Sequence, residues 1–214
     1  MGKATHDGRR GWLFVFEGID GSGKTTQLRR AAATLRTRGL RVVELVEPTN
    51  GPYGRQIRAA SRPGGRRPPA SEEAELFILD RMEDVQNNIA PALQRGDVVL
   101  LDRYYFSTLA YQGARGLDPD DIRRRNESFA PRPDLVLYFD VPLDEAMRRI
   151  ESQRPGATDL FERRDYLARV KEIYDGLARR LDIFRTIDAA ADEETVARQV
   201  IAALDRCLAA RRKS

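Results

Sequence analysis

Five short runs rich in β-branched and aromatic residues punctuate the chain: Trp12 to Phe16, Arg41 to Val46, Val98 to Leu101, Leu135 to Phe139 and Ile183 to Ile187. The runs at 12–16, 98–101 and 135–139 are apolar at every position. A strand covered on one face alternates, so an unbroken run predicts a strand buried on both faces, as in a parallel sheet. Helical spacing fills the intervals. Leu28, Ala31, Ala32 and Leu35 follow a glycine-rich turn, and Gly39 stands where a helix C-cap is expected. Ser71-Glu72-Glu73 predicts a capped start for a long helix reaching about Gln94, with Phe77, Ile78, Val85 and Ile89 on one side. Further helical segments are predicted at 104–113, 118–129, 143–152, 162–181 and 192–210. The text SRPGGRRPPA at 61–70 suits neither helix nor strand, and QRPGATD at 153–159 is polar and broken. Strands alternating with helices predict an α/β fold in three layers, with a five-stranded parallel sheet at the centre. There is no internal repeat and no linker, so residues 11–214 are expected to form one domain after a disordered tail at 1–10.

With 41% apolar residues over 214 positions, the chain can bury a sizeable core. It carries 37 basic and 33 acidic side chains, and arginine outnumbers lysine 33 to 4. The arginine pairs are scattered over different elements and interleaved with acids, which predicts solvated faces and no nucleic-acid partner. The only histidine is His6, in the polar tail, which excludes Ser-His-Asp and Cys-His chemistry and zinc sites built on histidine pairs. Cys207 is the only cysteine, so no intrachain disulfide or cysteine metal cage exists. The apolar run after MGKATHDGRR is too short for a signal-peptide core or a membrane span, and His6 breaks the myristoylation pattern. A cytoplasmic protein with no membrane association is expected.

Gly18-Ile-Asp-Gly-Ser-Gly-Lys24-Thr25 fits G-x-x-x-x-G-K-[ST] without a gap, directly after a predicted strand and before a predicted helix. Gly18, Asp20, Gly21, Ser22, Gly23, Lys24, Thr25 and Thr26 are therefore the candidate ATP-binding residues. In such a loop, successive backbone N–H groups and a helix N-terminus face a phosphate, Lys24 reaches the β- and γ-phosphates, and the Thr25 hydroxyl serves Mg²⁺. Asp102-Arg103 follows the strand at 98–101. In a doubly wound sheet the ligand crevice lies beyond the carboxyl ends of the strands, so Asp102 can serve Mg²⁺ and Arg103 a phosphate.

With these anchors in place, the sequence resembles the thymidylate kinases, phosphate-loop (P-loop) nucleoside monophosphate kinases that phosphorylate dTMP. The resemblance runs over nearly the whole chain after residue 10. It shows in FEGIDGSGKTTQ (16–27), Glu47-Pro48, Phe77 with Arg81, DRYYFSTLAYQG (102–113), RPDLVLYFDV (132–141) and TIDA (186–189). Segment 102–113 is the most specific, since it meets the bacterial pattern D-R-x-x-x-S-T-x-A-Y-Q-G in every fixed position.

The resemblance implies transfer of the γ-phosphoryl group of MgATP to dTMP by a homodimer. Phe77 and Arg81 lie one helical turn apart, so an aromatic plane and a fork of donors can share a face. By resemblance Phe77 stacks on thymine, Arg81 bonds its O4, Thr108 and Gln112 contact the base edge, and Tyr111 crowds the place of a ribose 2′-OH. Asp20 then lies near the 3′-OH, and Arg103 holds the acceptor phosphate. The candidate catalytic residues are Lys24, Arg103 and Arg154. Gly21 stands where some members have arginine, which implies the type whose cations come from a lid at about 151–162, with Arg154 expected to act and Arg148 and Arg149 nearby. Two positions depart from the family. Val46 replaces a frequent arginine before Glu47-Pro48, with Arg55 a candidate substitute, and the frequent D-R-x-E after the lid reads Asp159-Leu160-Phe161-Glu162. Other nucleoside monophosphate or deoxynucleoside kinases, and a nucleotide-binding regulator without turnover, remain alternatives.

Overall fold

The computed structural model describes residues 11–62, 65–153 and 160–211. Its sheet has five parallel strands: β1 (Trp12–Glu17), β2 (Val42–Val46), β3 (Val98–Asp102), β4 (Leu135–Asp140) and β5 (Phe184–Asp188), in the order β2-β3-β1-β4-β5. Every residue of β3, and all of β1 after Trp12, is buried. Successive strand residues point to opposite faces, so both faces of the sheet centre are covered. The edge strands β2 and β5 are only partly buried.

Helix α1 (Lys24–Thr37) packs beside α9 (Glu193–Arg211), while α4 (Ala90–Arg95) rests on β3 and α8 (Leu160–Arg180) on β5. Gly39 takes φ +80°; its N–H bonds to the Arg36 carbonyl and that of Leu40 to Leu35, a Schellman closure of α1. Between β4 and α8 lies α7 (Leu143–Gln153). Among the described residues, no helix is long and apolar enough to cross a membrane.

Three local expectations change. Residues Pro52–Ala60 form a helix, α2, for which the sequence offered little periodicity: Gly54 and Ile57 are its only buried residues. The long helix after the 61–70 segment is α3 (Ala70–Asp84), which passes through a π-helical turn at Val85–Ile89 before α4. Ser71-Glu72-Glu73 does not cap it. Pro69 occupies the cap position with no side-chain bond, and Glu73 is buried instead. There its carboxylate accepts from Gln112 Nε2 at 2.9 Å and pairs with Arg67 and Arg115. A tertiary ion cluster has outbid the local cap.

The connection β1 to β2 and the connection β3 to β4 leave the adjacent strands β1 and β3 toward opposite edges. This is the switch point of a doubly wound sheet, where a crevice opens beyond the strand ends. The loop after β1 and Asp102-Arg103 after β3 meet there.

Candidate active site

The loop from Gly18 to Gly23 turns sharply between β1 and α1. Gly18 has φ +148°, and a Cβ there would lie 2.7 Å from the Phe139 carbonyl oxygen. Gly21 has φ +78° and the same kind of conflict with the Ala146 carbonyl, at 2.6 Å. An arginine at 21 would therefore be strained as well as crowded. Among the described residues, the backbone N–H groups of Gly21, Gly23, Lys24, Thr25 and Thr26 have no acceptor. Five unspent donors at and just before a helix N-terminus form a seat for an anion. Ser22 is buried, and Thr26 is exposed beside it.

Lys24 lies folded inward, its Nζ donating to the Ile19 carbonyl at 2.8 Å and the Ser22 hydroxyl at 3.2 Å. Burial, aided by the nearby charge of Arg103, pulls its pKa down to about 8. Thr25 donates its hydroxyl to Asp102, which pairs the two expected metal-binding oxygens. Among the described residues, no group of three His, Cys, Asp or Glu side chains is arranged as a metal cage. A hydroxyl and one carboxylate instead suit a hard cation that takes its remaining ligands from phosphate and water. Beside the loop opens a cavity of about 390 Å³, lined by Ser22, Gly23, Thr26, Arg149, Asp192 and Glu193 among others.

Arg103 is the only non-glycine among the described residues with positive φ, at 71°. Its Nη2 donates to Asp20 at 2.6 Å and to the Tyr111 hydroxyl at 3.3 Å, and its Nη1 to Ser107 at 3.0 Å. The guanidinium lies 5.0 Å from the centre of the Tyr111 ring. Tyr111 also accepts from the Asp20 N–H at 3.2 Å. Desolvation pushes the Asp20 carboxyl up, but the charges of Arg103, Lys24 and Arg163 prevail and hold it below its ordinary value. Helix α5 (Tyr105–Gly113), which carries Thr108, Tyr111 and Gln112, is thus tied to the phosphate loop.

On α3, Phe77 is half-buried and lies outside the core cluster, with no ring stacked on it among the described residues. Arg81 is fully buried. Its Nε and Nη2 donate to Glu47 Oε2, its Nη2 also to Thr108 at 3.3 Å, and its Nη1 to Asn126 at 2.6 Å. One N–H of Nη1 stays unspent among the described residues. Burial outweighs the Arg81 charge and pushes the Glu47 carboxyl up to about 8. Gln112 has both ends of its amide engaged, with Glu73 and Arg115. Arg154 lies outside the described residues. Arg149 donates to Glu145 at 2.7 Å and to the carbonyls of Gly21 (3.4 Å) and Ala189 (3.2 Å), whereas Arg148 is exposed and bonds only Glu145. Val46 is 53% exposed at the carboxyl end of β2, in register with Asp102, and Arg55 donates to the Asn50 carbonyl.

Joining one phosphate seat to a second basic pocket across a single crevice is the geometry of a nucleotide phosphotransferase. A sequence profile described as thymidylate kinase matches residues 16–200. The chain belongs to the thymidylate kinase family. The thymidylate kinase of Xanthomonas euvesicatoria pv. vesicatoria (strain 85-10) is 49% identical over 201 residues, 94% of this chain and 86% of the relative. That of Desulfotalea psychrophila (strain LSv54 / DSM 12343) is 44% identical over 191 residues, covering 89% of this chain and 93% of the relative. That of Akkermansia muciniphila is 45% identical over 196 residues, 92% of each.

In this thymidylate kinase family member, sequence reasoning missed the buried groups that hold the site arginines: Glu47 and Asn126, which bond Arg81, and Glu17 and Tyr174, which bond Ser107 beneath Arg103. One signal was available. Glu17 is a carboxylate at the end of a wholly apolar strand, and a charge in that place is costly unless it is fully bonded.

Proposed function

We infer that the protein transfers the γ-phosphoryl group of ATP to the 5′-phosphate of dTMP, giving dTDP and ADP. The observation that carries this reading is the Arg103–Asp20 bond, which joins the acceptor side of the crevice to the phosphate loop. In the proposed arrangement the free N–H groups of the loop and Lys24 take the donor phosphates, and the cavity by Asp192 and Glu193 takes the nucleoside end of ATP. Arg103 is always charged and holds the acceptor phosphate. Phe77 stacks on thymine, and the unspent N–H of Arg81 meets O4, while Thr108 and Gln112 border the base. Tyr111, pinned by Asp20 and Arg103, fills the place of a ribose 2′-OH, and Asp20 lies near the 3′-OH. The acceptor oxygen is already ionised at neutral pH, so the chain supplies alignment and positive charge, with no histidine needed as a base. Thr25 and Asp102 would hold Mg²⁺, which neutralises phosphate charge when bound. Arg149 is placed to add a cation from α7, with Arg154 the candidate from the segment beyond it. A homodimer acting in the cytoplasm, with no nucleic-acid partner, completes the proposal.

Steady-state ADP release measured with ATP and a panel of acceptors tests it. Turnover should require an acceptor, with dTMP used better than dUMP by about 1–3 kcal/mol in kcat/KM, the value of one methyl group in an apolar pocket. UMP should be far poorer. Equal use of dTMP and UMP would overturn both the Tyr111 role and the acceptor assignment.

A further inference from the structure

Glu17 has no solvent exposure and four bonds. Its Oε1 accepts the backbone N–H of Tyr104 at 2.8 Å and of Ser107 at 3.2 Å; its Oε2 accepts the hydroxyls of Ser107 at 2.6 Å and Tyr174 at 2.7 Å. Tyr104 is the cap residue of α5 and offers no side-chain cap bond of its own. The capping work is therefore done from β1, by a carboxylate at the cap and third positions of a helix that lies 87 and 90 residues further along the chain.

The residue just before that cap is Arg103, in the left-handed region. Such a conformation is unfavourable for a non-glycine residue and persists only where its surroundings over-determine it. β1 does so from both sides. The Arg103 N–H bonds the Phe16 carbonyl at 3.0 Å, and the Tyr104 N–H bonds Glu17. The charge on Glu17 adds a second constraint. Because the carboxylate can only accept, the protons of the Ser107 and Tyr174 hydroxyls, which also lie 2.9 Å from each other, are both drawn to its side, which leaves a lone pair of Ser107 Oγ for Arg103 Nη1. A neutral cap would satisfy the helix without setting that polarity.

We propose that Glu17 is a positioning residue for Arg103, holding its backbone and, through Ser107, its guanidinium in the geometry that receives the acceptor phosphate. This rests on the reading of Arg103 given above. The same carboxylate immediately precedes Gly18, so the donor loop and the acceptor arginine share one anchor, and Tyr174 brings α8 to it.

The test compares dTMP with thymidine, which lacks only the phosphate, by calorimetric titration of the full-length protein and of Arg103→Ala, Glu17→Gln and the double variant. Glu17→Gln keeps the shape and removes the charge. It should weaken dTMP binding about tenfold or more, the value of a lost charge-assisted hydrogen bond, and leave thymidine affinity within about twofold. In the Arg103→Ala background it should add nothing, because the residue it positions is gone. Unchanged dTMP affinity in Glu17→Gln, equal loss for both ligands, or a full additional loss in the double variant overturns the proposal. Arg103→Ala binding dTMP normally would instead overturn the reading of Arg103 itself. Should Glu17→Gln fail to fold, Ser107→Ala takes its place. It removes the bridging hydroxyl, with its contact to Tyr174, and leaves the Glu17 carboxylate in place; it should show the same dTMP-selective loss, and the absence of that loss would equally end the proposal.

Discussion

Lys24 stands at the smallest scale on which this site can be understood. It is enclosed by the turn it belongs to, and that enclosure makes its charge conditional: burial brings the ammonium down to about 8 from an ordinary value near 10.5. The charged form prevails below that value and the neutral amine above it. Since kcat/KM reports the free enzyme, kcat/KM for ATP should fall as pH rises through about 8. Lys24→Arg should abolish that limb, and Lys24→Ala should lower kcat by at least about a hundredfold, as for loss of one preorganised charge at a developing anion. A pH profile of the three proteins checks both statements. Arg81 shows the opposite use of burial. It is spent almost entirely on Glu47, Asn126 and Thr108, so it can offer one directed N–H to a ligand with little freedom left to reorder.

At the scale of elements, α7 carries the arginines proposed to approach the transferring group. Its two consecutive arginines both bond Glu145 and line the cavity beside the phosphate loop, but only Arg149 also bonds the loop itself, at the Gly21 carbonyl. Gly21 has no room for a side chain because Ala146, on the same helix, presses against it. The helix that excludes an arginine from the loop thus brings its own. Arg149→Ala should depress kcat strongly with little change in the dTMP Kd, while Arg148→Ala should leave kcat near that of the parent. Such a pattern marks an interaction made chiefly in the transition state. Single-turnover rates for both variants, with Arg154→Ala beside them, decide how the role divides between α7 and the segment after it. No loss in any of the three would end the proposal of an added arginine.

At the scale of the whole molecule, the proposed homodimer has a physical handle. Met82 on α3 and Val46 on β2 are the large apolar side chains left substantially exposed among the described residues. Sedimentation equilibrium should give twice the 24.2 kDa chain mass, and Met82→Glu should shift the population toward the single chain if α3 lies in the contact. A parent protein that sediments as one chain at all concentrations would refute the dimer. The sequence by itself determined the five strands and the phosphate loop. The three central runs with no polar interruption can be satisfied only inside a doubly covered sheet, the two edge runs show as short β-branched stretches between helices, and the loop is eight contiguous residues whose spacing is its geometry. Helix α2 escaped such reading because two buried positions give no period, and Glu73 misled because a capping box and a buried tertiary anion use the same residue type. Which partners the site residues have was decided by the tertiary structure alone. Asp20 and Arg103 are 83 residues apart, Glu17 and Tyr174 157 apart. No local pattern encodes such pairings. They exist because the strand order sets β1 beside β3 and packs α5 and α8 against their ends, where buried polar groups must find one another or bear the full cost of leaving water.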